Sequence, residues 1–118
     1  MTIRIATEFS KLPGPRYKAE GQHSGQDFRE RLLRPRFLEA EASQTKLLID
    51  LDGATFGYPT SFLEEAFGGL AREFGINRVL GVLEFQCSDE PMLSDEITRY
   101  IREAEQTSVE RNKARRAN

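Results

Sequence analysis

Two short apolar runs limit what this chain can fold into more than any other feature. Lys46-Leu47-Leu48-Ile49-Asp50-Leu51 and Val79-Leu80-Gly81-Val82-Leu83-Glu84-Phe85 hold too many consecutive apolar residues for a strand wetted on one side. Both are also too short for a free-standing helix, so each is expected to be a central strand. Between them Phe62, Leu63, Ala66, Phe67, Leu70 and Phe74 recur at helical spacing, and Gly75 supplies a stop. Strand, helix and strand in that order make a crossover unit with parallel strands and a right-handed connection.

The remaining segments fit around that unit. From Ile3 to Phe9, Ile3, Ile5, Thr7 and Phe9 alternate with Arg4, Ala6 and Glu8, the pattern of an edge strand. Leu12 to Gly25 is too rich in glycine and proline for a regular element and reads as a loop. Ser24 followed by Asp27 marks a helix start, with Phe28 and Leu32 one turn apart. Pro35 cannot donate to the carbonyl of Arg31 and would clash with it, which predicts a kink or a second short helix opening at Pro35. A last helix, Met92 to Thr107, aligns Leu93, Ile97, Tyr100, Ile101 and Ala104. The expected architecture is one α/β domain over residues 1–108, a mixed four-stranded sheet with helices packed mainly on one face, followed by a frayed basic tail at 109–118.

Composition removes several classes of function. A chain of 118 residues that is 38% hydrophobic and 31% charged can bury one core and solvate its surface. Its net charge of −2 gives no positive field for nucleic acid or an anionic membrane. Arg29, Arg31, Arg34 and Arg36 are interleaved with Glu30, and Arg111, Lys113, Arg115 and Arg116 have no aromatic neighbours for base stacking, so both groups read as solvated surface. Cys87 is the single cysteine, which fits a reducing compartment. The first residues lack the unbroken apolar stretch of a leader and no run approaches the ~18 apolar residues of a bilayer span, so the cytoplasm is the expected location and no membrane partner is expected.

Catalytic constellations are hard to assemble. With His23 the only histidine, neither a zinc site of the usual His and Cys ligands nor a Ser-His-Asp hydrolase can be built within one chain. The glycines match neither a phosphate loop nor a dinucleotide-binding turn. Asp50 and Asp52 flank the end of a central strand, where they either serve a metal or organise the turn. No enzymatic activity and no cofactor are expected.

The stretch from Leu47 to Leu70 carries most of the functional information. A buried strand leads through a turn to a helix whose first positions are Thr60 and Ser61. Ser61 with Glu64 fits a capping box, in which hydroxyl and carboxylate satisfy the first N–H groups. Alternatively Thr60 or Ser61 is a phospho-acceptor: a phosphate adds about −1.5 to −2 charge where the helix dipole favours it, with Glu64 and Glu65 opposing. On the face away from the apolar stripe lie Glu64, Gly68 and Arg72, with Glu65 and Gly69 beside them. Each interior glycine costs about 1 kcal/mol relative to alanine. Either a partner backbone approaches this bare face or another part of the same chain packs on it. Arg16, beside a glycine-rich loop and near the helix start at Ser24, supports a different reading, a pocket for a small phosphorylated or carboxylated ligand.

The strand, the Asp50-Leu51-Asp52-Gly53 turn and the helix from Thr60 through Leu70 resemble the STAS-like domain of unknown function of bacteria and archaea. The resemblance extends to Pro13-Gly14-Pro15-Arg16, to Ser24-Gly25-Gln26-Asp27-Phe28-Arg29 and to the last strand, from Ile3 to Gln106. More distantly the same segment is similar to the anti-sigma-factor antagonists, whose strand leads through an Asp-Ser-Ser-Gly turn into a partner-binding helix. A serine of that turn is phosphorylated by a histidine-kinase-like ATPase; here Tyr58-Pro59-Thr60-Ser61-Phe62 stands in its place. The resemblance implies a regulatory interaction module that meets a protein partner, of the histidine-kinase-like ATPase class, through Tyr58, Glu64, Glu65, Gly68, Gly69 and Arg72. Self-association stays open.

Overall fold

A computed structural model of the chain describes residues 1–104. The tail assigned to 109–118, and the last helix beyond Ala104, lie outside the described residues. Three strands form one sheet in the order β1 (Thr2–Arg4), β2 (Leu47–Asp50), β3 (Leu83–Gln86), and both pairings are parallel. The expected mixed, four-stranded sheet is therefore corrected: among the described residues it is three-stranded and all parallel.

Register explains the one-sided core. Ile3, Ile49 and Phe85 align across the three strands, and Leu47 aligns with Leu83. These face the helices, where Ile3, Leu47, Ile49 and Leu83 are buried and Phe85 half-buried. Their neighbours Thr2, Arg4, Leu48, Asp50, Glu84 and Gln86 are half-exposed or exposed on the other side. Parallel sheets ordinarily carry helices on both faces; among the described residues the helices cover one.

Two of the strand boundaries differ from expectation. The chain leaves the sheet after Arg4 and turns into a short helix α1 (Ile5–Glu8), in which the Glu8 carboxylate accepts from the Arg4 N–H (2.7 Å) and Ile5 turns into the core. β1 thus ends where its pairing with β2 ends, at Arg4 opposite Asp50.

The long helix α2 runs through Gly25–Phe28, Arg29–Leu33 and Arg34–Ala42 without a break. Ser24 caps it, its Oγ accepting from the Asp27 N–H (3.0 Å). The middle section is a π turn closed by the Arg34 N–H on the Arg29 carbonyl, so Pro35 falls in the first turn of the section that follows. A widened turn ahead of proline relieves the ring's clash with the preceding carbonyls, and the helix continues through Pro35 in place of a separate second helix.

Helix α3 is built from Thr60–Leu63, Glu64–Gly68 and Gly69–Phe74, again with a π turn in the middle, and it ends at Gly75 (φ 95°). Phe62, Leu63, Ala66, Phe67 and Leu70 are buried, as the helical spacing predicts. The second apolar run then divides. Its first half belongs to helix α4 (Ile76–Val82), and only Leu83–Gln86 is strand. Helix α5, residues 93–104, buries Leu93, Ile97, Tyr100, Ile101 and Ala104.

Aromatic rings tie these layers together. Phe9 meets Phe28 edge-on (5.4 Å between centroids), Phe28 stacks on Phe62 (5.8 Å), Phe28 meets Phe67 (6.2 Å), and Phe67 meets Phe85 edge-on (5.7 Å). Gly25 permits the crossing of α2 and α3, because a Cβ there would stand 2.5 Å from the Phe62 carbonyl oxygen. No helix among the described residues is long and apolar enough to cross a membrane.

Candidate functional site

The end of the sheet at which β2 and β3 finish carries an acidic turn and an exposed aromatic loop. After Leu51, the Asp50 carboxylate accepts from the Asp52 N–H (3.0 Å), Asp52 from the Asp89 N–H (2.9 Å), and Asp89 from the Gly53 N–H (2.9 Å). These aspartates organise the turn: Asp50 makes an Asx turn to the N–H two residues on, and Asp52 and Asp89 tie the turn to the chain after β3. The Asp89 N–H is the first cause that holds the Asp52 carboxyl below its ordinary range.

From that turn the chain runs through Phe56, which is 88% exposed, to Tyr58, whose hydroxyl donates to the Leu51 carbonyl (2.9 Å). Burial first, then the charges of Asp50, Asp52, Glu90 and Asp89, pushes the Tyr58 phenol well above its ordinary range. Its ring packs on Phe62 (5.9 Å), anchoring the loop to the core while Phe56 stays outside.

Thr60 and Ser61 open α3 as its first two residues, Thr60 exposed and Ser61 half-buried. The expected capping box between Ser61 and Glu64 does not form. Pro59 holds the cap position, no side chain caps the turn, and the Pro59 carbonyl accepts from Phe62 (3.1 Å) and Leu63 (3.3 Å). Glu64 is drawn sideways instead, pairing with Arg16 and with Arg72 (2.7 Å). Burial opposes its ionisation, but the hydrogen bonds from Arg72 and Arg16 outweigh that and leave its carboxyl below the ordinary range.

Those contacts belong to a five-member ionic cluster. Glu65, only 7% exposed, accepts from Arg29 Nη1 on both its carboxylate (2.5 Å) and its backbone carbonyl (2.5 Å). Arg16 and Arg72 approach its other oxygen at 3.5 and 3.8 Å. Arg29 lies in the π turn of α2 and Glu65 in that of α3, so the two widened turns face each other across this pair. The interior glycines follow from it. A Cβ on Gly69 would fall on the Arg29 guanidinium, and one on Gly68 on the Glu64 carboxylate. Of the two accounts the sequence left open, the geometry is that of packing by the same chain.

Arg16 and Ser24, the residues of the ligand reading, are likewise engaged. Arg16 is paired with Glu64, and its guanidinium pKa is raised chiefly by that hydrogen bond. The first N–H groups of α2 are taken: Gly25 by the Pro15 carbonyl (2.9 Å), Gln26 by that of Arg16 (3.0 Å) and Asp27 by Ser24 Oγ (3.0 Å). The structure ties Tyr58 to Leu51 just past the end of β2, places Thr60 and Ser61 at the start of α3, and gathers Arg16, Glu64, Glu65 and Arg72 in the ionic cluster. Sequence reasoning missed Phe56, which stands in a polar turn with no periodic pattern around it, and Arg29, which spacing assigns to solvent.

The order of these parts, a capped helix, a strand, an acidic turn and a second helix opened by hydroxyl residues, is also that of a known family. The sequence profile of the STAS-like domain of unknown function (DUF4325) matches residues 24–92, more than half of the chain. The chain belongs to this family. The match takes in α2, β2, α3, α4 and β3, and leaves β1, α1, the Pro13–Arg16 loop and α5 outside it. No curated protein and no solved structure gives a match. STAS-like domains are in general binding or regulatory modules, and the parallel α/β fold is consistent with that class.

Proposed function

We propose that this STAS-like domain is a regulatory interaction module whose contact surface is the loop from Ala54 to Pro59 together with the first turn of α3. One observation carries the reading: Phe56 is 88% exposed on a loop whose flanks are fixed, at the end of a parallel sheet where α/β domains place their binding residues. Exposed aromatics held on rigid supports are the usual anchors of protein contacts. Tyr58 sets the loop, while Glu64, Glu65, Gly68, Gly69 and Arg72 hold α3 in position through the ionic cluster and offer its rim to the partner.

Thr60 and Ser61 are the candidate phospho-acceptors, Thr60 being the more accessible. A phosphate there adds about −1.5 to −2 charge at a helix start. On the exposed Thr60 it would change the field of the surface at the start of α3. The partner class we assign is a histidine-kinase-like ATPase. No observation favours the ligand reading, since Arg16 and the start of α2 are saturated by the chain itself.

The experiment is site-specific photocross-linking in the native host, with the cross-linker at position 56 or, as control, at Glu84 on the open face of the sheet. A discrete adduct from position 56 alone supports the surface. Equal adducts from both positions, or none from position 56, overturn it. Mass spectrometry after co-expression with the ATPase tests the modification, and an unmodified Thr60-Ser61 peptide rejects that part.

A further inference from the structure

Leu12, Pro13, Phe56, Gly57, Tyr58 and Pro59 line a groove of about 270 Å³. That is below the roughly 300–1,000 Å³ of small-molecule sites and suits one large side chain. Its walls are apolar and open to water, Leu12 being 54% and Phe56 88% exposed. Its border is negative: a Cβ on Gly57 would stand 2.8 Å from the Glu90 carboxylate, and Asp52 and Asp89 clamp the turn immediately before the groove.

Charge balance sets this rim apart from the ionic surface of the helices. There Arg31 pairs with Asp27, Arg34 with Glu73, Arg36 with Glu8 and Arg78 with Glu41. Among the described residues no Lys or Arg pairs with Asp52, Asp89 or Glu90. Lys11, whose carbonyl accepts from the Thr55 N–H (2.8 Å), adjoins the loop and joins none of the three. Asp50, Asp52 and Asp89 are joined through the hydrogen bonds of the turn that precedes the groove, and Glu90 stands beside Gly57 in its wall.

We infer that this groove seats one aromatic or aliphatic side chain from a protein partner whose neighbouring residues are Lys or Arg. The apolar walls supply the anchor, and the three carboxylates, unpaired with Lys or Arg among the described residues, select the flanking charge and steer approach. The inference rests on the contact surface proposed above and adds the chemistry of the segment that meets it.

The test is an amide NMR titration of the whole chain with three synthetic peptides of equal length: Lys-flanked Leu-Phe, Lys-flanked Gly-Gly and Glu-flanked Leu-Phe. Saturable shifts at residues 52–58 and 89–90 are expected with the first alone. Phe56→Ser and Glu90→Lys should each weaken that binding about tenfold. Both positions are exposed, so the remaining spectrum of each variant should match the parent. Raising salt from about 50 to 500 mM should weaken it further, because the rim charges are exposed. Equal binding of the Glu-flanked or glycine peptide, shifts centred elsewhere, no saturable shift, or indifference to Phe56→Ser would each overturn the inference. A cross-link from position 56 to a segment poor in Lys and Arg would overturn it while leaving the contact surface intact.

Discussion

The guanidinium of Arg29 occupies the space in which a side chain at Gly69 would stand, with Arg29 Cζ 2.9 Å and Cδ 3.1 Å from the position a Cβ would take. The neighbouring glycine differs in what it faces. A Cβ on Gly68 meets the end of the Glu64 side chain, whose Cδ is 3.3 Å away and which is a quarter exposed.

Gly69→Ala should therefore destabilise the domain despite alanine's advantage of about 1 kcal/mol in a helix. The methyl group displaces Arg29 from the buried Glu65, and we expect a net loss of about 2 kcal/mol, since breaking such a pair costs roughly 3–5. Gly68→Ala should be neutral or slightly stabilising because Glu64 can swing aside. Urea unfolding of both variants checks the contrast, and equal midpoints would contradict it.

Arg29→Met leaves Glu65 buried with only the longer approaches of Arg16 and Arg72. We expect a loss of about 2–3 kcal/mol. Adding Glu65→Gln removes the orphaned charge and should restore at least half of that loss. A double-mutant cycle measures the coupling, which should exceed about 1 kcal/mol.

Acid should weaken the fold through identifiable groups. The Glu64 carboxyl lies below its ordinary range, burial opposing and Arg72 and Arg16 outweighing it; the Asp52 carboxyl is lowered first by the Asp89 N–H. A depressed folded-state pKa contributes stability that is present above the unfolded value of about 4 and is lost as pH falls through the folded value. Urea midpoints should fall below about pH 4.5, and Glu64→Gln should flatten that slope.

At the alkaline end the sign reverses for Tyr58. Its raised pKa, caused by burial and then by the surrounding carboxylates, contributes stability that is present below the unfolded value of about 10 and lost as pH rises beyond it. Absorbance titration should show the Tyr58 phenolate forming only as the domain unfolds. Tyr58→Phe removes the hydrogen bond to Leu51 and should cost about 1 kcal/mol while erasing this alkaline loss.

Local pattern revealed the elements that periodicity governs. The buried face of α3, the face of α5, the central position of β2 and the Ser24 cap can all be read from spacing. Boundaries failed where one apolar run serves two elements. Val79 is buried from a helix and Leu83 from a strand, and the one glycine between them, Gly81, lies inside the helix and does not mark the boundary. Ile3, Ile5 and Phe9 fit a strand and a strand-to-helix corner equally well, and the choice is made by the length of β2 alongside. The Ser61 and Glu64 pair satisfied a local rule that was overridden by Arg16, distant in sequence. Ion pairs across helices leave no spacing signature, so the cluster around Glu65 could not be foreseen, although the two glycines marked its place.

The side of the sheet that no described helix covers has a further consequence. Its outer members are three and four residues long, and each sets a charge against water, Arg4 at one border and Glu84 at the other. An intruding strand would find little main chain to zip against and would have to strip hydration from those ions. Backbone accretion is discouraged along both flanks, which leaves adhesion to be governed by the side chains at the crown of the domain.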